Sequence, residues 1–384
     1  MSWSANSTGI DRRSYLKSIG AATLVGTTGL AGCTGGSDGD STRLGVSTNF
    51  SAGGWVDALV SATEMYAEDQ GFNFNLFTTE TDVEEQVTHV NQMINQDYDV
   101  ILLNPFTSDP VASVVEDATD EGIPVFTFDI DAATPAVKMY VSFSDYKAGA
   151  KAAGLLMERL RNHEGREPPY EIFNIRAPPG SQIADFRNDG FVDEIEKDDD
   201  FSVVGTINGE WGQDTAKTKS EQWMNSNGVP DGIYSAMFAM AMGGLTALKN
   251  FDAAHEVGNE DHVSIITLDG SPQINEQISN GMVDAAVDQP NYFYGPLAIE
   301  LAKMHLEGGD DALPSEGSTV DTDQLMVEPK EHDINENTVE LWQEQFWAPA
   351  TITTSNDHPM LETSTLTITE ENADEPVSWG NIWG

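Results

Sequence analysis

The residues best placed to do chemistry in this chain are carboxylates that stand where strands run out. Residues 100–103, Val-Ile-Leu-Leu, form an apolar run of strand length. Asn104, Pro105 and Pro110 make a turn, after which Val111, Val114, Val115 and Ala118 recur at helical spacing until Gly122 stops the helix. Ile123 and Pro124 lead into a second apolar run, residues 125–128, and that run ends on Asp129. The pattern predicts a β-α-β unit with strands apolar enough to be buried on both faces of a parallel sheet. Open α/β sheets take their ligands at the carboxyl ends of the strands, so Asp129 is the first candidate for a ligand contact. Asp269 closes another apolar run and precedes Gly270; the residues alone fit a ligand contact and the start of a turn equally well.

Catalysis finds little support. The seven histidines are scattered, and none belongs to a His-Glu-x-x-His or comparable metal spacing. Gly-x-Ser-x-Gly and Walker-type phosphate loops do not occur. Two carboxylates suffice for a glycosidase, yet nothing nominates a pair. The expectation is a binding protein without enzyme activity, metal or cofactor.

The elements that must position these carboxylates follow in order. Strands are expected at residues 44–47, 72–77, 100–103, 125–128 and 139–143, with helices carrying Trp55, Leu59 and Tyr66, then Val83, Val87 and Ile94. A long helix starts at Ser144-Asp145-Tyr146, and the alternation begins again. Its strands fall at 170–175, 201–207, 232–237, 263–268 and 283–287, and its helices at 183–196, 215–225, 241–250 and 273–279. A further helix is expected at 292–306 and a late strand at 324–327. The tail from Lys330 fits this rhythm less well, with a helix over 338–347 and a Thr/Ser-rich stretch over 351–367. Two successive α/β halves argue for two doubly wound parallel-sheet domains with a cleft between them.

The chain's order of motifs resembles the ribose/galactose type of periplasmic sugar-binding protein, the extracytoplasmic receptors of ABC importers. The resemblance rests on the Asn104-Pro105 strand end, the Ser108-Asp109-Pro110 helix start, Gly122-Ile123-Pro124-Val125 and the strand ending in Asp129. Ser142-Phe143-Ser144-Asp145-Tyr146 resembles the hinge strand, Arg187-Asn188-Asp189-Gly190-Phe191 the Arg-x-x-Gly-Phe helix, and Leu268-Asp269-Gly270 a second-domain strand end. Gln289-Pro290 resembles the second crossover, and Trp379-Gly380-Asn381 the ending of some members.

The resemblance implies a type I fold whose domains are joined by a three-strand hinge, with crossings near residues 143, 289 and 320. The N-terminal domain would comprise 42–142 plus 290–320, the C-terminal domain 143–289 plus 321–330, and 331–384 would be an extension. It also places a sugar site on Trp55, Asp129, Arg187, Trp211, Asp269 and Gln289. Carboxylates and a guanidinium pair with hydroxyls, and Trp faces pack on sugar C–H groups. Two positions depart from the pattern: Met237-Phe238 replaces an expected Asn-Asp, and Ile130 replaces an expected Arg after Asp129. Met237 thereby joins the candidate contacts, and the ligand shifts towards a deoxy or methylated sugar, or a nucleoside. The implied partners are an ABC permease and a small sugar-like solute, with the protein a monomer. A sensor presenting its ligand to a membrane receptor is the alternative, and a secreted carbohydrate-active enzyme a third reading.

Charge sets the surroundings. The chain has 64 Asp and Glu against 18 Lys and Arg, a net charge of −46, with the acids spread along most of its length. Such a surface repels itself unless salt screens it, which reads as adaptation to a very salty environment. Nucleic acid is excluded as a partner on charge. Asp11-Arg12-Arg13-Ser14-Tyr15-Leu16-Lys17 looks like a twin-arginine export motif, residues 19–30 are a short apolar stretch, and Leu30-Ala31-Gly32-Cys33 looks like a lipobox. Residues 1–33 are therefore expected to be a lipoprotein signal with Cys33 lipidated, and residues 34–41 a flexible tether. The expected location is the outer face of the cytoplasmic membrane.

Overall fold

A computed structural model describes residues 41–49 and 54–384. The export motif, the apolar stretch, Cys33 and nearly all of the tether lie outside these residues.

The first half of the chain alternates strictly. Strands β1 (Arg43–Thr48), β2 (Asn73–Thr78), β3 (Val100–Asn104), β4 (Val125–Phe128) and β5 (Met139–Phe143) are separated by helices α1 (Gly54–Asp69), α2 (Val83–Asn95) and α3 (Ala112–Asp120). The α2 start is fixed by Asp82, whose carboxylate accepts from the backbone N–H of Glu84 and Glu85 at 2.9 and 3.1 Å. The second half repeats the scheme. Helix α4 (Asp145–Arg161) is followed by β6 (Tyr170–Arg176), α5 (Gln182–Ile195), β7 (Phe201–Asn208) and α6 (Gln213–Asn227). Then come β8 (Gly232–Ser235), α7 (Phe238–Asn250), β9 (Ser264–Leu268), α8 (Pro272–Ser279) and β10 (Ala285–Asp288). Helix α9 (Asn291–Gly308) returns to the first half, where it packs on α1.

The five strands of each half are parallel and run in the same spatial order, β2-β1-β3-β4-β5 and β7-β6-β8-β9-β10. Their central strands are wholly buried, as the apolar runs at β3 and β9 require.

The sheets are not purely parallel, because the C-terminal segment enters both of them. β14 (Ala350–Ser355) and β15 (His358–Thr363) form a hairpin, and β15 pairs in parallel with β5. The short strand β11 (Thr319–Val320) closes that edge against β14. β16 (Leu366–Ile368) then pairs antiparallel with β10 in the other sheet. The stretch 331–384 is thus no appendage: it completes an eight-stranded and a six-stranded sheet.

The chain passes between lobes at 143–145, at 288–291 and at 363–366, so the last crossing is not near residue 320. Nor do residues 321–330 join the second lobe. They lie on α1, where the Glu328 N–H donates to Tyr66 Oη at 3.2 Å and Lys330 pairs with Asp69. The strand expected at 324–327 is the end of a turn followed by irregular chain. The helix expected at 338–347 is replaced by the hairpin of β12 (Lys330–Ile334) and β13 (Asn337–Leu341). A last short helix, α10 (Trp379–Trp383), packs on α1 and α8.

Candidate functional site

The two lobes present equivalent carboxylates. Asp129 follows β4 and Asp269 follows β9, both with φ near the left-handed region at 63° and 62°. In each case the backbone N–H donates to the next strand, to Val141 O and Val287 O, both at 3.0 Å. Asp tolerates this conformation better than most residues, and it turns both side chains off the end of their sheets.

Arg187 is brought to this place by a close helix crossing. A Cβ on Gly149 would lie 2.2 Å from Arg187 O, and one on Gly190 would lie 1.9 Å from Tyr146 O, so only glycine lets α4 and α5 approach this far. The crossing sets Arg187 beside the first residue of α4: its Nε donates to Asp145 Oδ1 at 2.8 Å. Its Nη1 donates to Asp269 Oδ2 at 2.6 Å and to Ala236 O at 2.8 Å, and Nη2 to Asp269 Oδ1 at 3.2 Å. Gln289, on the second crossing, donates from Nε2 to Asp269 Oδ1 at 3.0 Å and accepts from Tyr294 Oη at 3.2 Å. Arg187, Asp269 and Gln289 are all buried.

Asp129 belongs to the same electrostatic cluster from the opposite lobe. Burial pushes its carboxyl up to about 7; the Asn104 amide, donating to Oδ2 at 2.9 Å, and Arg187 pull down, while Asp145 and Asp269 push up. Burial likewise raises Asp145, against the pull of Arg187. Burial alone would lower the Arg187 guanidinium, but Asp269 and Asp145 hold it firmly protonated. Tyr140 and Ser142 of β5 donate to the Asp129 carbonyl at 2.5 and 3.3 Å, tying this strand end to the hinge.

The remaining expected residues are more peripheral. Trp55 is half-buried at the start of α1, and its carbonyl accepts from Asn291 Nδ2 at 3.0 Å, next to the second crossing. Met237 is half-buried at the N-cap of α7, just beyond β8. Trp211 is half-buried with φ 57° on the turn after β7. Among the described residues no hydrogen bond or ring contact joins the Trp211 or Met237 side chain to the carboxylate cluster. Sequence reasoning missed Asn104, Tyr140, Asp145 and Tyr294 as members of this hydrogen-bonded cluster. Asn104 and Asp145 resembled a turn residue and a helix start, and Tyr140 and Tyr294 core aromatics.

Two lobes of identical strand order, three crossings and polar residues gathered at the facing strand ends define the class of two-lobed α/β solute-binding proteins. The family profile described as "Periplasmic binding protein domain" matches residues 44–310, and the chain belongs to that family. It is similar to the xylitol-binding protein of Mycolicibacterium smegmatis, 27% identical over 67% of this chain and 70% of that one. It is also similar to the ribose import binding protein of Bacillus subtilis, 23% identical over 69% of this chain and 82% of that one. Among solved structures, an arabinose-binding protein from Geobacillus stearothermophilus superposes with a TM-score of 0.65 at 18% identity, covering 88% of this chain and 100% of that one. A galactofuranose-binding protein gives 0.62 at 17% identity, with 87% and 96% covered. These structures agree with the fold.

Proposed function

We propose that this chain is the extracytoplasmic solute-binding lipoprotein of an ABC importer, and that it takes a sugar or sugar-like solute between its lobes. One observation carries the reading: the Asp269–Arg187–Gln289 network of one strand end acts electrostatically on Asp129 of the other. Relatives named for xylitol, ribose and galactofuranose binding support a polyhydroxylated ligand. Hydroxyls both donate and accept, so one ring can answer Asp129 in the first lobe and Arg187, Asp269 and Gln289 in the second. Trp55 and Trp211 supply apolar faces and Met237 an apolar wall. Closure about the crossings traps the ligand, because only the closed form makes both sets of contacts. The closed protein, held to the membrane by lipid on Cys33, then delivers the solute to a permease.

The test is thermal unfolding of the full chain in molar salt against pentoses, hexoses, deoxy sugars, inositols and nucleosides. A ligand at about a hundred times its Kd stabilises by roughly 2.7 kcal/mol. A hit among sugars or polyols upholds the reading; a hit confined to nucleosides moves it to that class; no shift anywhere removes it.

A further inference from the structure

The strand ends of the first lobe and the second crossing carry several unpaired hydrogen-bond acceptors. Asn49, Asn104 and Asn291 are buried around the first lobe's strand ends and the second crossing. Each has its amide nitrogen fixed on a carbonyl: Asn49 Nδ2 on Pro105 O at 2.6 Å, Asn104 Nδ2 on Phe128 O at 3.1 Å, and Asn291 Nδ2 on Trp55 O. These partners settle which end of each amide is which, and among the described residues the Oδ1 atom of all three is buried without a hydrogen-bond partner. Buried polar atoms are ordinarily satisfied, so these three orphan acceptors call for donors.

Charge points the same way. Asp129 takes a hydrogen bond from Asn104 on Oδ2, and its Oδ1 takes none among the described residues. No lysine, arginine or histidine among them forms an ion pair with Asp129, and residues 50–53, Phe-Ser-Ala-Gly, carry no basic side chain. Arg187 is already committed to Asp145, Asp269 and Ala236 O, which leaves one guanidinium N–H over. Three carboxylates therefore share one cation.

The geometry points to a ligand that carries a protonated amine on its polyhydroxylated frame, an amino sugar or amino polyol, with the ammonium group on Asp129. An ammonium offers three donors and no acceptor, which suits the orphan oxygens, and it supplies the missing positive charge. A neutral sugar can also donate from its hydroxyls to the orphan oxygens, but it leaves Asp129 without a counter-charge. This inference rests on the sugar-like reading of the cleft and narrows it.

Calorimetric titration of the full chain in molar KCl with D-glucosamine, D-galactosamine and D-mannosamine, each beside its parent hexose and its N-acetyl derivative, tests it. At least one amino sugar is expected to bind about tenfold or more tighter than both neutral counterparts. In Asp129→Asn that ratio is expected to fall towards one; asparagine tolerates the left-handed backbone, and a thermal melt checks that the variant is folded. Neutral sugars binding as tightly as their amines would overturn the inference and leave the sugar reading standing. Silence from amino and neutral sugars alike, in this titration and in the wider panel, would remove both. A preference that survives Asp129→Asn would overturn the assignment of the ammonium to Asp129.

Discussion

Arg187 holds together a site that would otherwise repel itself. Its guanidinium lies between Asp145 and Asp269, buried and bonded to both. Arg187→Met keeps much of the volume and leaves the two carboxylates facing each other, and breaking such a buried arrangement costs about 3–5 kcal/mol. Urea unfolding in molar salt measures this, and a loss below about 1 kcal/mol would show that the carboxylates simply take up protons or water. Asp129 behaves in the opposite sense. Its folded-state value of about 7 stands above its ordinary 3.8. The folded protein therefore holds this proton where the unfolded chain has released it, and ionisation at Asp129 erodes stability as pH rises from about 4 to 7. Asp129→Asn removes that cost, so the ligand-free variant is expected to be more stable than the parent at pH 8, with the gain fading by pH 5. Equal stability at both pH values would place the Asp129 carboxylate in water. Asp129 was legible in the sequence because a strand-end carboxylate is a local pattern. Asp145 was not, because its role depends on a helix crossing set by Gly149 and Gly190, far apart in the chain.

At the scale of elements, legibility follows the range of the signal. Each half's β-α alternation is written in apolar runs and helical spacing, and the strands expected at 44–47, 100–103, 125–128 and 139–143 overlap β1, β3, β4 and β5. The tail defeated that reading because its strands mix Thr and other polar residues with apolar ones and are only partly buried. Two turn signals were nevertheless present. Asn335-Glu336 and Asn356-Asp357 each join a hairpin with both residues at positive φ, the geometry that favours Asn and Asp in two-residue loops. Val339, Leu341 and Trp342 mimic helical spacing, yet Leu341 ends strand β13 and Trp342 begins the turn after it, both buried. The late hairpin is also pinned to the first lobe, where Asp131 accepts from Ser355 Oγ at 2.6 Å and Asn356 Nδ2 at 2.8 Å and lies 3.1 Å from His358 Nε2. A chain ending at residue 349 would expose the whole β5 edge and strip β16 from β10. It is expected to aggregate or lose its near-ultraviolet circular dichroism, whereas a true extension could be removed without either change. Leu361→Ala, at a fully buried position, should cost about 2–5 kcal/mol by the same logic.

For the molecule as a whole, a net charge of −46 governs how the fold responds to its solvent. Described ion pairs such as Arg161–Asp198, Lys197–Glu194 and Lys303–Glu300 neutralise some acids, but 18 basic residues cannot answer 64 acidic ones. The excess is spread over most of the chain, so the repulsion acts between many carboxylates at separations comparable to the screening length. That length is about 3 Å at 1 M salt and about 10 Å at 0.1 M. Dilution therefore switches on interactions across the surface that concentrated salt suppresses, and all of them favour the expanded chain. The expected result is a melting temperature that falls steeply as KCl drops from about 2 M to about 0.1 M, with unfolding at room temperature near the lower end. Replacing the removed salt by sucrose separates two causes: an excluded osmolyte strengthens burial but screens nothing. If sucrose restored the full melting temperature, burial rather than repulsion would be the limiting quantity. If it restored little, the fold depends on screening, and the cores of the two lobes are sufficient only when the surface carboxylates no longer act on one another.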